Sequence, residues 1–359
     1  MTKRVAVVLF NLGGPDAPES VRPFLVNLFT DPAILRVPGF VRPWLGRLIA
    51  WRRTKPAMEN YAVLGGRSSL LELTEAQGEA LAAVLNQDGD ATYRSFVCMR
   101  YWHPMSDEAA RAVKAWAPDE VLLVPLYPQF STTTTGSSIL DWEAAARRAG
   151  LSVPTQTLCC FHSDPGFATA TARMVREAYD KARAELPKAT GLRILFSAHG
   201  LPESIVKQGD PYQWQVEQTV AAVVEALDMP GLDFTVCYQS RVTPQKWIGP
   251  STEEEIERAA HDKVAILVCP IAFVSEHSET LVELDVEYRE IAEEEGVPGY
   301  FRVPAQNSDP GFIGALAALV RKVRGTERAL CSFAGARQCP KVHGDCPHAK
   351  VRARELERA

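Results

Sequence analysis

The stretch VAVVLFNLGGP, Val5–Pro15, returns in altered form at Leu192–Pro202 as LRILFSAHGLP: an apolar run, a polar corner, a glycine and a proline. An apolar run bounded by turn residues reads as a buried strand. A second pair repeats the same relation. Val121–Gly136 (VLLVPLYPQFSTTTTG) and Ala265–Thr280 (AILVCPIAFVSEHSET) each give strand, proline, aromatic, serine and then a helix. Strand–corner–helix units in two matching sets imply an α/β fold of two similar Rossmann-like halves. Each half is expected to be a parallel sheet flanked by helices, with a cleft between them outside the carboxyl ends of the strands.

Working outward, strands are expected at Val5–Phe10, Tyr93–Met99, Val121–Pro125, Ser152–Cys160, Leu192–Phe196, Phe234–Tyr238 and Val264–Cys269. Helical patterns fall near Ser20–Leu28, Leu71–Leu85, Ser106–Trp116, Ile139–Ala149, Phe167–Glu185, Tyr212–Leu227, Thr252–Ala260, Glu279–Glu295 and Pro310–Arg324. The expected domains are 1–150, 151–308, and a closing helix with a cysteine-containing tail at 309–359.

Composition narrows the function classes. The 359 residues, 46% hydrophobic and 23% charged, suffice for two ordinary domains with packed cores. A net charge of −5 and the absence of a basic block argue against nucleic acid as a partner. The opening apolar run is short and enters Gly13-Gly14-Pro15, which fits a first core strand better than a signal peptide. No segment approaches ~18 uninterrupted apolar residues, so no membrane span is expected and the location is read as cytoplasmic.

Two corners carry chemistry. His199 directly follows a strand, the address of catalytic groups in open α/β sheets, although a loop histidine satisfied by backbone has the same look. The companion corner Asn11–Pro15 lacks the G-x-G-x-x-G spacing of a dinucleotide site. In SEHSETLVELDVEY, Ser275–Tyr288, helical spacing puts Glu276, Glu279, Glu283, Glu287, Glu290 and Glu294 on one side. Leu281, Leu284, Tyr288 and Ile291 lie opposite. Such a stripe is either a solvated face or, beside His277, a path for a divalent cation. The segment Ile34–Arg53 mixes large apolar residues with Arg36, Arg42, Arg47, Arg52 and Arg53. It reads as a broken amphipathic helix that could be internal, lie on a membrane surface, or wall a flat apolar ligand bearing carboxylates.

Seven motifs then converge. FNLGGP (Phe10–Pro15), RYWHP (Arg100–Pro104), YPQFSTTTTGSS (Tyr127–Ser138) and FSAHGLP (Phe196–Pro202) resemble ferrochelatase in order and spacing. So do GDPY (Gly209–Tyr212), QSRVTPQKWIGP (Gln239–Pro250) and PIAFVSEHSETLVELDVEY (Pro270–Tyr288). The resemblance implies insertion of Fe²⁺ into protoporphyrin IX to make protohaem, with porphyrin and ferrous iron as partners. It implies His199 and Glu279 as catalytic residues, His199 accepting protons. Glu279, Glu283 and Glu287 would mark a metal route, with Glu276 and His277 near its start, on a helix carrying a π-type distortion. Leu35, Arg52, Arg53, Tyr61, Ser68, Arg100, Tyr101 and Trp247 match porphyrin-pocket positions. Peripheral contact with the inner membrane is a further implication. Coproporphyrin as substrate, a chelatase for cobalt or nickel, and a non-catalytic porphyrin carrier are the alternatives, and oligomeric state is left open.

This chain departs from the animal enzymes at two places. Leu35 stands where they have methionine, and Thr132 where they have one cysteine of a [2Fe–2S] cluster. Cys331, Cys339 and Cys346 remain in the tail at different spacing. With Cys160, or its neighbour Cys159, they would complete a four-cysteine cluster. A zinc site using His343 or His348 and a set of uncommitted thiols are the other readings.

Overall fold

The computed structural model describes residues 2–241, 245–326 and 328–349; positions 242–244 of the QSRVTPQKWIGP motif and 350–359 of the tail lie outside them. The first repeat forms a strand, Lys3–Asn11 (β1), buried without alternation from Val5 to Asn11. A strand covered on both faces must be apolar throughout, which is why the run shows no period of two. It pairs in parallel with Ala91–Met99 (β2) and Glu120–Pro125 (β3), Leu9 standing opposite Val97 and Val124. Thr155–Leu158 (β4) extends this sheet beside β3. The second repeat forms Gly191–His199 (β5), flanked in parallel by Phe234–Gln239 (β6) and Val264–Pro270 (β7).

Two short strands were not read from the sequence. Tyr300–Arg302 (β8) adds to β7, and Leu330–Cys331 (β9) adds to β4. Two and three residues give no periodicity to detect. The sheet orders are therefore β2-β1-β3-β4-β9 and β6-β5-β7-β8, all parallel.

The chain divides into two compact units. One comprises residues up to Cys159 with Ala317–Cys331; the other comprises Cys160–Leu316 with the tail from Ser332. In the first, Val8, Phe10, Phe96, Leu123 and Trp142 form a core on one sheet face. In the second, one face packs Ile194, Phe196 and Leu267 against Val216 and Val220, and the other packs Leu195 and Val268 against Leu284 and Tyr288. That second face seats the acidic segment on its sheet.

One helical expectation is corrected and another is met. Ile34–Arg53 is not itself a broken helix: turns at the start lead into one helix, Arg42–Val63, with Pro43 in its first turn and Pro56 inside. It lies against Val21–Thr30, and a side chain at Gly46 would come 2.6 Å from the Phe29 carbonyl oxygen. The expected helix Glu279–Glu295 carries the π-type distortion that the resemblance implied, as α-helix Ser278–Leu281, a π-turn Glu283–Glu287, and α-helix Tyr288–Glu294.

Candidate active site

In the second sheet the chain leaves β5 for β6 on one side and returns to β7 on the other. Such a reversal opens a crevice at the carboxyl ends of the two central strands. His199 is the last residue of β5, and the acidic segment follows β7. The topology thus gathers residues 80 positions apart, and His199 Nε2 stands 3.8 Å from Glu279 Oε1.

The tautomer of His199 follows from its other nitrogen. Nδ1 lies 2.6 Å from the Gly200 carbonyl oxygen. A carbonyl only accepts, so Nδ1 carries a hydrogen, and in the neutral tautomer Nε2 keeps a lone pair toward Glu279. Both side chains are about one-third exposed, 35% and 30%. The His199 carbonyl accepts from the buried Tyr212 hydroxyl at 3.1 Å, and Gly200 N–H donates to the Gln239 carbonyl at 2.7 Å. Residue 200 must be small: a Cβ there would come 2.8 Å from that carbonyl oxygen and 3.1 Å from the Trp247 ring. The result is a basic nitrogen open to a reacting group, beside a carboxylate that would stabilise the imidazolium.

The acidic residues do not form one file. The π-turn, with Glu287 N–H bonding the Val282 carbonyl at 3.0 Å, breaks the 3.6-residue period. Glu276 is buried and clasped by Arg302 Nη1 at 2.9 Å, by Ala305 N–H at 2.9 Å and by the Thr280 hydroxyl. His277 caps the short helix: its Nδ1 accepts from Glu279 N–H at 3.1 Å, and burial holds its pKa below the ordinary value. Glu279 faces His199. Glu283 accepts from Gln239 Nε2 at 2.9 Å, from the Ser240 hydroxyl, and from the Tyr288 hydroxyl at 3.0 Å. Burial, and next the negative charge of Glu279, raise the pKa of Glu283. Asp285 turns to Arg302, taking two bonds at 2.6 and 2.7 Å. Glu287, Glu290 and Glu294 are exposed.

In the first unit, two of the expected porphyrin positions, Arg100 and Tyr101, form a second polar hub with Asp31. Asp31 Oδ2 receives Arg100 Nη2 at 2.7 Å, the Tyr101 hydroxyl at 2.8 Å and the Ser137 hydroxyl at 2.7 Å. Tyr101 is fully buried and Arg100 mostly so. Leu35 follows on the turn that Asp31 starts, its N–H bonding the Asp31 carbonyl at 2.9 Å. Tyr61 and Ser68 are buried, Ser68 within van der Waals reach of Gly14. Arg52 and Arg53 are exposed on the Arg42–Val63 helix, and Trp247, in the second unit, lies against Gly200.

The four cysteines expected to hold a cluster are all buried. Cys331 belongs to the first unit, where its sulfur lies 3.0 Å from Thr326 Oγ1. Cys160, Cys339 and Cys346 belong to the second. There Cys339 donates to Cys346, raising its own pKa and lowering that of Cys346 to about 7. Gln215 Nε2 also donates to Cys339 sulfur at 3.1 Å. Among the described residues no group of three or more His, Cys, Asp or Glu is arranged to hold a metal ion.

Sequence reasoning missed Gln239, Ser240, Tyr288, Arg302 and Asp31. For Gln239 and Ser240 the signal was present, since they open the QSRVTPQKWIGP motif at the end of a strand. Arg302 sits on the three-residue β8, which gave none.

The chain matches the ferrochelatase family model over residues 4–324. A ferrochelatase of Caulobacter vibrioides is 51% identical over 348 residues, 97% of this chain and 98% of the relative. One of Phenylobacterium zucineum is 51% identical over 344 residues, 96% of this chain and 97% of the relative. Among solved structures, SirB from Bacillus subtilis with Fe³⁺ aligns with a TM-score of 0.51 at 12% identity, over 91% of this chain and 99% of that one. The sirohydrochlorin chelatase SirB in complex with cobalt gives 0.50 at 10% identity, over 90% and 97%. These two likenesses bear on the fold alone.

Proposed function

The chain belongs to the ferrochelatase family, and from that premise we propose that its chemistry runs through His199 and Glu279. It is a ferrochelatase, inserting ferrous iron into protoporphyrin IX to form protohaem. Insertion breaks two pyrrole N–H bonds, forms iron–nitrogen bonds and releases two protons. The observation that carries the residue assignment is the fixed tautomer of His199: Nδ1–H on Gly200, Nε2 open toward Glu279. Nε2 accepts a pyrrole proton, Glu279 offsets the imidazolium charge, and partial exposure lets the proton pass to water. General-base catalysis of this kind contributes roughly 10²–10⁴-fold.

Iron reaches the site along oxygen donors. Glu287 is exposed and Glu283 is oriented by three donors, so the reading runs from Glu287 past Glu283 to Glu279. His277, its Nδ1 taken by the helix cap, contributes through Nε2. Leu35, Arg52, Arg53, Tyr61, Ser68, Arg100, Tyr101 and Trp247 are proposed as the porphyrin-binding set, with Arg100 and Tyr101 acting from within the Asp31 hub. The test is an anaerobic Fe²⁺ and protoporphyrin assay of His199→Ala. Turnover should fall by roughly 10²–10⁴-fold while porphyrin still quenches protein fluorescence. Near-parental turnover sinks the assignment. Steady-state rates with both porphyrins should favour protoporphyrin; a preference for coproporphyrin overturns the choice of substrate.

Two outlying features belong to this reading. No helix among the described residues is long and apolar enough to cross a membrane. Yet Phe40, Trp44, Leu48, Trp51 and Met58 are exposed beside Arg47, Arg52, Arg53 and Lys55. An apolar face rimmed by cations fits the surface of an anionic bilayer, giving a cytoplasmic protein peripheral to the inner membrane. Co-sedimentation with phosphatidylglycerol vesicles that Trp44→Glu and Trp51→Glu do not weaken counts against it. The [2Fe–2S] centre rests on the cysteine pattern alone; colourless anaerobic protein without acid-labile sulfide removes it.

A further inference from the structure

Between the His199 corner and the Glu279–Glu283 segment lies one amide. Gln239 is the last residue of β6, paired in register with His199, and is 1% exposed. Its main-chain carbonyl takes the Gly200 N–H at 2.7 Å, fixing the residue whose own carbonyl sets the His199 tautomer. Its Oε1 accepts from the Ser197 hydroxyl at 2.9 Å, which in turn lies 2.9 Å from Thr252 Oγ1. Its Nε2 gives one hydrogen to the Glu279 carbonyl at 3.1 Å and the other to Glu283 Oε2 at 2.9 Å. The amide can stand only one way round, because a carbonyl and a carboxylate accept while the serine hydroxyl can donate.

We propose that Gln239 is the positioning residue of the insertion site, holding the His199 loop through its main-chain carbonyl and the Glu279 backbone and Glu283 carboxylate through its buried amide. Three strands bear on this. Ser197 and His199 come from β5, Gln239 from β6, and the acidic segment follows β7. The Gln239 amide ties the ends of these strands to the acidic segment, which lies beyond the sheet ladder. Ser240, the next residue, adopts φ 64°, a left-handed conformation that costs energy for a residue with a side chain. That conformation accompanies the contact of its hydroxyl with the same Glu283 oxygen. Both hydrogens of the Gln239 amide and its oxygen are committed. A shorter or apolar side chain therefore releases Glu279 and Glu283 together, without touching any group that meets the porphyrin.

The inference rests on the His199–Glu279 reading and is tested so that the two can fail separately. Fe²⁺ kinetics at saturating porphyrin are measured for Gln239→Leu, Glu283→Gln and the double variant, with His199→Ala alongside and porphyrin affinity from fluorescence quenching. Loss of an outer-shell partner typically costs about 10- to 100-fold, and kcat/KM for Fe²⁺ in Gln239→Leu should fall within that range. Porphyrin affinity should stay within about twofold, as for a residue acting only on the metal side. Because the amide acts through Glu283, the double variant should lose little more than the worse single one. Parental Fe²⁺ kinetics in folded Gln239→Leu, or losses that multiply in the double variant, overturn the proposal while an inactive His199→Ala leaves the parent reading standing. An active His199→Ala overturns that reading. If Gln239→Leu does not fold, the isosteric Gln239→Glu takes its place in the cycle. Failure of both to fold assigns the residue to the fold alone and also overturns it.

Discussion

At the end of β1 the corner residue is Asn11; at the end of β5 it is His199, in the same place of a sheet with the same central strand order. Asn11 is 7% exposed, its Nδ2 donating to Thr74 Oγ1 at 3.0 Å and its Oδ1 accepting from Leu12 N–H at 2.9 Å. His199 has one nitrogen anchored and the other 3.8 Å from a carboxylate, beyond hydrogen-bond length. The neighbouring loops differ in the same sense. Near the first corner Arg100 is consumed by Asp31 and Ser137, whereas Glu279 near the second keeps its carboxylate facing His199. Two repeats of one scaffold thus carry opposite uses of polar groups. Satisfied groups hold a fold, and incompletely satisfied ones remain available for reaction.

Substitutions can break this contrast. The largest effect expected is that of His199→Ala, roughly 10²–10⁴-fold in turnover, with a fall in stability of no more than about 1–3 kcal/mol, because the Gly200 carbonyl loses its Nδ1–H donor. A larger fall would give His199 a structural role as well. Asp31→Asn should act in the opposite way. It takes the nearer counter-charge from the mostly buried Arg100 guanidinium, leaving Asp141 at 3.6 Å as its carboxylate partner, and should cost about 3 kcal/mol in urea unfolding, the low end for breaking a buried pair. An unchanged midpoint would mean the first hub is not what holds its unit.

Smaller effects sharpen the comparison. Gly200→Ala pushes a Cβ onto the Gln239 carbonyl and Trp247, and such overpacking costs typically about 1–3 kcal/mol. Because the displacement falls on His199, turnover should drop with it; stability loss without rate loss would uncouple the corner from the site. Asn11→Ala should cost about 1–3 kcal/mol by leaving buried partners unmatched. The smallest effect is a pH dependence. The pKa of Glu283 is raised above its ordinary 4.5 by burial and by Glu279. Its stabilising protonated form is fully present below that ordinary value and is lost as pH rises through the folded pKa. Glu283→Gln copies the neutral form, so its stability relative to the parent should climb from pH 4.5 upward and level off above the folded pKa of Glu283. The climb amounts to about 1.4 kcal/mol for each tenfold weakening of the carboxylic acid on folding. A flat or falling difference in denaturant midpoint refutes this.

Much of the fold was legible because it rests on local pattern. Continuous apolar runs could only be central parallel strands, and the turns after them carried their own proline and glycine. Ser106–Trp116 and Tyr212–Leu227 were read to their end residues. The address of His199 was legible for the same reason, since it follows from strand order rather than from any contact. The cysteine cluster was not legible in the same way: spacing along a tail does not tell which thiols meet in space, and no metal-holding group of three or more stands among the described residues.

The sequence by itself determined two matching α/β halves, the position of His199, and a length of chain rich in carboxylates after β7. Tertiary structure decided what each carboxylate does. A helix of regular period would have sent Glu276, Glu279, Glu283 and Glu287 to one side. Arg302, 26 residues on, draws Glu276 and Asp285 inward, Gln239, 44 residues back, takes Glu283, and Glu279 is left to face His199. Side-chain charges choose partners by distance in space, and a π-turn between short helices is stable only where those partners stand.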